Sequence, residues 1–137
     1  MNKKDVLISV KPQYANLLVD GVKSIELRRK FPESIASGTK CLIYSTSPEK
    51  KVIGHCKISA VKKLKIDELW SECAVKAMIP WSDFSNYFEG VEHGFAVEMY
   101  GYTRYENAMS LDKVTGVDSR PPQSYRYVSS NDLPAEV

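Results

Sequence analysis

The residues best placed to do chemistry together lie in one short run, Gly21-Val22-Lys23-Ser24-Ile25-Glu26-Leu27-Arg28. Lys23 falls in a turn. Stripped of water, its ammonium loses protons more easily and the amine becomes a base or nucleophile; left in water, it stays a cation able to hold a phosphate or a base carbonyl. Glu26 beside an arginine stays ionised, and a carboxylate is the partner an amine edge of a nucleobase needs. The alternation Ser24-Ile25-Glu26-Leu27-Arg28 predicts a half-buried strand, with Ile25 and Leu27 toward a core and Ser24, Glu26 and Arg28 on the opposite face. Strand parity sets Lys23 on the other side from Glu26, so the two converge only if the turn redirects the lysine. The plain alternative is a Glu26–Arg28 or Glu26–Lys23 pair on a solvated sheet face, which contributes little.

Arg28-Arg29-Lys30 followed by Phe31 is a basic run with an adjacent aromatic, side chains that neutralise phosphates and stack on bases. Lys11, Lys50 and Lys51 could extend the patch. Equally, the run could be a solvated loop edge with Phe31 turned into the core. Ser45, Thr46 and Ser47 end a strand near the motif and offer hydroxyls and backbone N–H groups to a ligand, or form an ordinary turn. Lys62, Lys63 and Lys65 read as a solvated strand end that protects a sheet edge. His55 and His93 stand apart from any Cys or Asp cluster, so no metal site and no cofactor is expected. No nucleophile elbow is present. The cysteines, Cys41, Cys56 and Cys73, are odd in number and widely spaced, which fits neither disulfides nor zinc; Cys41 and Cys56 sit in apolar strand patterns as small hydrophobes.

These groups need elements to hold them. Val6–Val10 reads as a strand, Pro12 opens a helix carrying Tyr14, Ala15, Leu17, Leu18 and Val19, and Gly21 stops it in a left-handed cap. A loop at 31–39 leads to a strand at 41–46. A longer strand spans 52–64, with Gly54 a bulge or point of close approach. Asp67 to Met78 has helical spacing, Pro80 ends it, and Ser82 or Asp83 could cap a short helix closed by Gly90. Gly94–Tyr105 reads as a long final strand. The Arg120-Pro121-Pro122-Gln123-Ser124-Tyr125-Arg126-Tyr127 tail must run extended after a loop at 107–119. It could wrap back over the pocket or dock a protein partner.

The strands do not alternate regularly with helices, which argues against a doubly wound parallel sheet. The fold class predicted is α+β, mainly β: a small mixed β-barrel of five to six strands flanked by two to three helices. One domain covers 1–137, with a core at about 6–105 and an extended tail at about 106–137. Charge is uneven. Residues 1–65 hold fourteen Lys and Arg against five Asp and Glu, and the rest hold five against twelve, a distribution that hints at a polyanion-facing side. There is no run of about 18 apolar residues and no apolar leader, so neither a membrane span nor secretion is expected, and the reduced cysteines point to the cytoplasm.

The helix with Pro12, Ala15 and Leu18, the Gly21-x-Lys23 turn and the Glu26-x-Arg28 strand, together with Leu42-Ile43-Tyr44, Ile53-Gly54 and Gly94-Phe95-Ala96-Val97-Glu98, resemble the ASCH family of the PUA-like superfamily over roughly residues 6–105. The resemblance implies a PUA-like barrel with a cleft that takes RNA or other nucleic acid. Some small members resemble amidases acting on acylated cytidine through a Lys/Thr/Glu set. Lys23 matches the lysine of that set, Glu26 stands at the threonine position, and Glu98 is a candidate for the acid. Distant members resemble ribonucleases. The primary expectation is thus an RNA-binding module whose nucleic-acid or ligand contacts come from Lys11, Lys23, Ser24, Glu26, Arg28, Arg29, Lys30, Ser45 and Ser47. If the chain is an enzyme, Lys23 and Glu26 would be catalytic on a modified nucleoside. A ligand-sensing or protein-interaction module is the third reading.

Overall fold

In the computed structural model, residues 4–115, 120–122 and 124–129 are described. The order of elements is β1 (Lys4–Val10), α1 (Pro12–Val19), β2 (Ile25–Arg28), β3 (Thr39–Ser45), β4 (Lys51–Lys65), α2 (Ile66–Ala77), α3 (Trp81–Tyr87), β5 (His93–Met109), α4 (Leu111–Thr115) and β6 (Tyr125–Ser129). The six strands form one mixed sheet in the order β2-β5-β4-β3-β1-β6. β1 and β3 run parallel, with Val6 opposite Cys41 and Ile8 opposite Ile43; the other neighbours are antiparallel.

The long pair β4–β5 carries three register shifts, at Val52/Gly54, His55/Lys57 and Ile58/Ala60. Such bulges bend a strand and increase its twist, so the sheet curls instead of lying flat. Gly54 is a true close-approach point. A Cβ there would lie 2.2 Å from the Thr103 carbonyl oxygen and 2.8 Å from a Val19 methyl, so α1 can lie against the β4–β5 pair only because position 54 has no side chain.

Three apolar clusters hold the layers. The largest sits beneath α1, where Val6, Ile8, Leu18, Ile43, Ile58 and Val97 meet, and Phe31 returns to join them. A second packs α2 and α3 on β2 and β5 through Ile25, Leu27, Leu69, Phe84 and Phe88. A third, on the other side of the sheet, sets α4 over Leu7, Leu42, Val52 and Tyr105.

The predicted PUA-like mixed barrel is present, with one seam that the backbone ladder does not close. β2 and β6 are the edge strands, and Arg28 spans the gap with its side chain. One terminal nitrogen donates to the Ser9 carbonyl at 3.2 Å, the other to the Ser124 carbonyl at 2.7 Å and to Ser124 Oγ at 3.3 Å.

Several local expectations are corrected. Gly94–Tyr105 is not the final strand: β5 extends from His93 to Met109, a short helix follows, and β6 pairs with β1. Residues 110–115, expected in a loop, lie mostly in α4, where Leu111 and Val114 are buried; 116–119 lie outside the described residues. Neither Ser82 nor Asp83 caps α3; Pro80 precedes it in extended conformation and Trp81 starts the helix. β2 is not half-buried. All four residues are buried, because α2 and α3 cover one face while the tail and Tyr87 close over the other. Among the described residues no helix is long and apolar enough to cross a membrane.

Candidate nucleic-acid interface

A cavity of about 600 Å³ opens at the seam, walled by α1, β2, α3 and the Pro121–Pro122 segment. That volume is within the range of small-molecule and nucleotide pockets. On its floor lie Lys23, Glu26 and Arg28, 3%, 7% and 6% exposed.

The turn after α1 solves the parity problem. Gly21 adopts φ +77°, and the backbone N–H groups of Val22 and Lys23 both donate to the Leu17 carbonyl, at 2.9 and 3.0 Å. Ser24 N–H then docks on the Lys76 carbonyl at the end of α2 (3.1 Å). Lys23 therefore leaves the chain before strand alternation begins and folds back toward Glu26. Its Nζ donates to the Ala77 carbonyl, stands 3.5 Å from Glu26 Oε1 and sits 5.2 Å from the centre of the Tyr14 ring. Glu26 Oε2 accepts from Arg28 at 3.0 Å. One carboxylate thus serves two buried cations and leaves the floor with a net positive charge.

Burial lowers the Lys23 pKa below its ordinary value even though Glu26 pulls the other way. For Arg28, burial also works downward, but Glu26 with Tyr87 and Cys41 outweighs it and the guanidinium stays charged. The Arg28 Nε is buried with no hydrogen-bond partner among the described residues.

The walls are amphipathic. On α3, Asp83, Asn86 and Tyr87 face the cavity at i, i+3 and i+4, the spacing of one helix face, while Phe84 and Phe88 face the core. Tyr14 Oη donates to Asp83 Oδ2 at 2.6 Å, joining α1 to α3 across the rim. That bond, after burial itself, raises the Tyr14 pKa. Arg29 N–H donates to Tyr87 Oη at 3.3 Å. Ser9 Oγ donates to the Pro122 carbonyl at 2.7 Å, which pins the tail beside the cavity.

The structure brings together Lys11, Lys23, Glu26 and Arg28 and leaves the other predicted contacts out. Ser24 is spent on the turn. Arg29 and Lys30 are exposed beyond the end of β2, outside the cavity, because Phe31 anchors in the core and faces Tyr125 at 5.4 Å between ring centres. Ser45 is fully buried at its strand end and Ser47 is exposed in the turn; Thr46 between them reaches the cavity instead. Glu98 pairs with Lys62 at 3.1 Å and lies off the cavity. Sequence reasoning assigned no ligand contact to Ser9, Tyr14, Asp83, Asn86 or Tyr87. The Asp83-x-x-Asn86-Tyr87 spacing opposite Phe84 and Phe88 was the available signal.

All three cysteines are free and buried, and burial pushes the Cys56 thiol up to about 12, an unreactive state. Among the described residues no three His, Cys, Asp or Glu side chains gather as a metal site.

A curled mixed sheet with a charged cleft between barrel and helices defines a PUA-like domain. The ASCH domain model matches residues 8–118, and the chain belongs to that family. A relative from Zymomonas mobilis named "ASCH domain-containing ribonuclease" is 30% identical over 129 residues, 93% of this chain and 86% of the relative. The large ribosomal subunit protein uL22 of Ureaplasma parvum matches at 25% identity over 124 residues, 90% of this chain but 39% of that protein. The crystal structure of the ASCH protein from Zymomonas mobilis superposes with a TM-score of 0.87 at 28% identity, covering 93% of this chain and 90% of that one. A tyrosine-to-phenylalanine variant of the same protein gives 0.88 over 95% and 94%.

Proposed function

We propose that this ASCH domain binds single-stranded RNA and takes one nucleotide into the cleft over Lys23, Glu26 and Arg28. One observation carries the reading: three charged side chains, each more than nine-tenths buried, line an open cavity of about 600 Å³. Burying ions is costly, and an apolar floor would serve stability as well or better, so such a cluster at a cavity supports a functional role for it. Glu26 offers acceptor capacity to a base amine, Arg28 its unpartnered Nε, and Lys11 at the rim a contact for phosphate. The rings of Tyr14 and Tyr87 give a flipped base apolar faces to lie against.

A second reading, that the bound strand is cut, is favoured by the lowered pKa of Lys23 and by the name of the Zymomonas relative. In that case Lys23, in the deprotonated form that its lowered pKa makes more accessible, accepts the proton from a ribose 2′-hydroxyl as it attacks the neighbouring phosphorus. A 2′,3′-cyclic phosphate forms and the 5′-oxygen leaves with a proton from water.

The test is a titration of labelled single-stranded RNA at two salt concentrations, beside Lys11→Glu and Asn86→Trp at the exposed rim, with gels following chain length and an acylated cytidine as a further substrate. Micromolar binding that weakens with salt and is lost when Asn86→Trp fills the cavity supports the reading. Binding indifferent to both variants refutes the cleft. Product that disappears in Lys23→Met assigns the second reading.

A further inference from the structure

We propose that Tyr102 and Arg104 of β5 are positioning residues for Lys23: from outside the cavity they clamp the last turn of α1 and so set where the lysine enters the cleft. That role rests on Lys23 acting in the RNA cleft; neither residue lines the cavity itself.

The clamp starts with a bulge. His55 is opposite Thr103 and Lys57 is opposite Tyr100, so β5 holds two residues, Gly101 and Tyr102, where β4 holds only Cys56. Gly101 takes the left-handed conformation, φ +59°, that suits a glycine at such a point, and the extra residue re-aims a side chain. Here the side chain is Tyr102, which is 58% exposed yet lies directly against the end of α1. A Cβ at Gly21 would stand 2.3 Å from Tyr102 Cε1 and 2.5 Å from its Cδ1 and Cζ. The ring therefore rests on the bare backbone of the residue that turns the chain toward Lys23.

Arg104 holds the same turn one residue earlier. Its Nε donates to Asp20 Oδ1 at 2.8 Å, and its Nη2 donates to Asp20 Oδ2 at 3.0 Å and to Asn16 Oδ1 at 2.8 Å. Asp20 is the C-cap of α1, and no basic residue lies in the last turn of that helix. A carboxylate there opposes the helix dipole, and the guanidinium fork offsets it. The body of α1 is already anchored by buried Ala15, Leu18 and Val19. Asp20, Gly21 and Val22 are exposed instead, so the clamp acts where burial does not.

Lys23 leaves the chain at the end of this turn and reaches a narrow target. Its Nζ meets Glu26 of β2 at 3.5 Å, the Ala77 carbonyl after α2 and the Tyr14 ring of α1 at 5.2 Å. Arg28 shares Glu26, and Asp83 of α3 is bonded to Tyr14. A displacement of about 1 Å at the root of such a group is enough to spoil its contacts.

The experiment follows the Lys23 ammonium by NMR in the full chain with labelled lysine, its signal assigned by its loss in Lys23→Met, beside a titration of single-stranded RNA. Burial is the largest influence holding the Lys23 pKa down, so a lysine released from the cleft titrates higher, toward 10.5. Tyr102→Ala and Arg104→Ala should each move that titration upward and weaken RNA binding roughly fivefold, the upper range for one exposed contact. Tyr102→Phe, which keeps the ring, should match wild type in both. So should Lys62→Ala, which breaks an exposed ion pair to Glu98 at the other end of the β4–β5 pair. Thermal melts confirm that the variants fold, and Arg104→Ala, at an exposed pair, carries the test if Tyr102→Ala does not. A Lys23 titration unmoved in both clamp variants overturns the proposal. So does weakened RNA binding with that titration unchanged, which would make Tyr102 and Arg104 contacts for RNA themselves. If the wild type binds no RNA, the cleft reading fails, and the titration alone decides whether the clamp sets the lysine.

Discussion

Replacing Glu26 with alanine tests the electrostatics of the cleft floor. In the wild type its two oxygens stand 3.5 Å from Lys23 Nζ and 3.0 Å from Arg28, and the two cations are 3% and 6% exposed. Removing the carboxylate leaves both charges buried with no counter-ion, a change that costs about 3–5 kcal/mol where one partner of a buried pair is deleted. For a chain of this size that is a fall of roughly 10–20 °C in Tm. The pH dependence separates this cause from lost packing. Desolvation already depresses the Lys23 pKa, and Glu26 is the group opposing it, so the folded-state pKa must fall further in Glu26→Ala. A lysine with a folded pKa below its unfolded 10.5 carries its full penalty while both states are protonated. The penalty shrinks as pH rises through the folded value and vanishes above the unfolded one. Urea unfolding at pH 7, 8, 9 and 10 should therefore show the gap between wild type and variant narrowing with pH. Glu26→Gln, which keeps an oxygen acceptor, should lose less at pH 7. A gap that stays constant with pH, or a variant as stable as wild type, refutes the reasoning.

Gly54→Ala should destabilise the chain by roughly 3 kcal/mol or more, because its Cβ meets the Thr103 carbonyl at 2.2 Å and neither backbone can yield easily; equilibrium unfolding measures this. His55 is held neutral in the fold, so the unfolded chain takes up its proton first on acidification and stability falls as pH drops from 6.5 toward about 4. The ceiling is about 3 kcal/mol at ~1.4 kcal/mol per pH unit, and exposure of the ring reduces the expected loss to about 1 kcal/mol. His55→Gln should remove that share, as read by unfolding at pH 7 and pH 4.5.

Much of the frame was legible in the sequence because local signals agreed with the fold. Pro12 at the helix start, Gly21 at its end and the apolar runs at 6–10, 41–46 and 52–64 all fall where their patterns point. Gly54 marked a close approach, as a lone glycine in a strand does. The cleft was half legible. Lys23 and Glu26 were named, yet their meeting depends on two N–H groups sharing the Leu17 carbonyl and on a docking bond to α2, and no periodicity encodes either. Ser24, Glu26 and Arg28 looked alike by parity, but Ser24 precedes the strand and is consumed by the turn. β6 was hidden by its length: Tyr125–Ser129 is five residues, and its partner β1 lies at the other end of the chain. The same distance hid the role of Arg28, whose contacts with Ser9 and Ser124 bridge 19 and 96 positions.

The most direct test of the central claim is to find where RNA touches the protein. Single-stranded RNA carrying 4-thiouridine would be photo-crosslinked to the wild-type chain and the joined peptides read by mass spectrometry. Crosslinks at Tyr14 or Tyr87, lost when Asn86→Trp fills the cavity, are the result expected of a base held over Lys23, Glu26 and Arg28. RNA that crosslinks efficiently elsewhere on the chain, and never at the cleft, would contradict it.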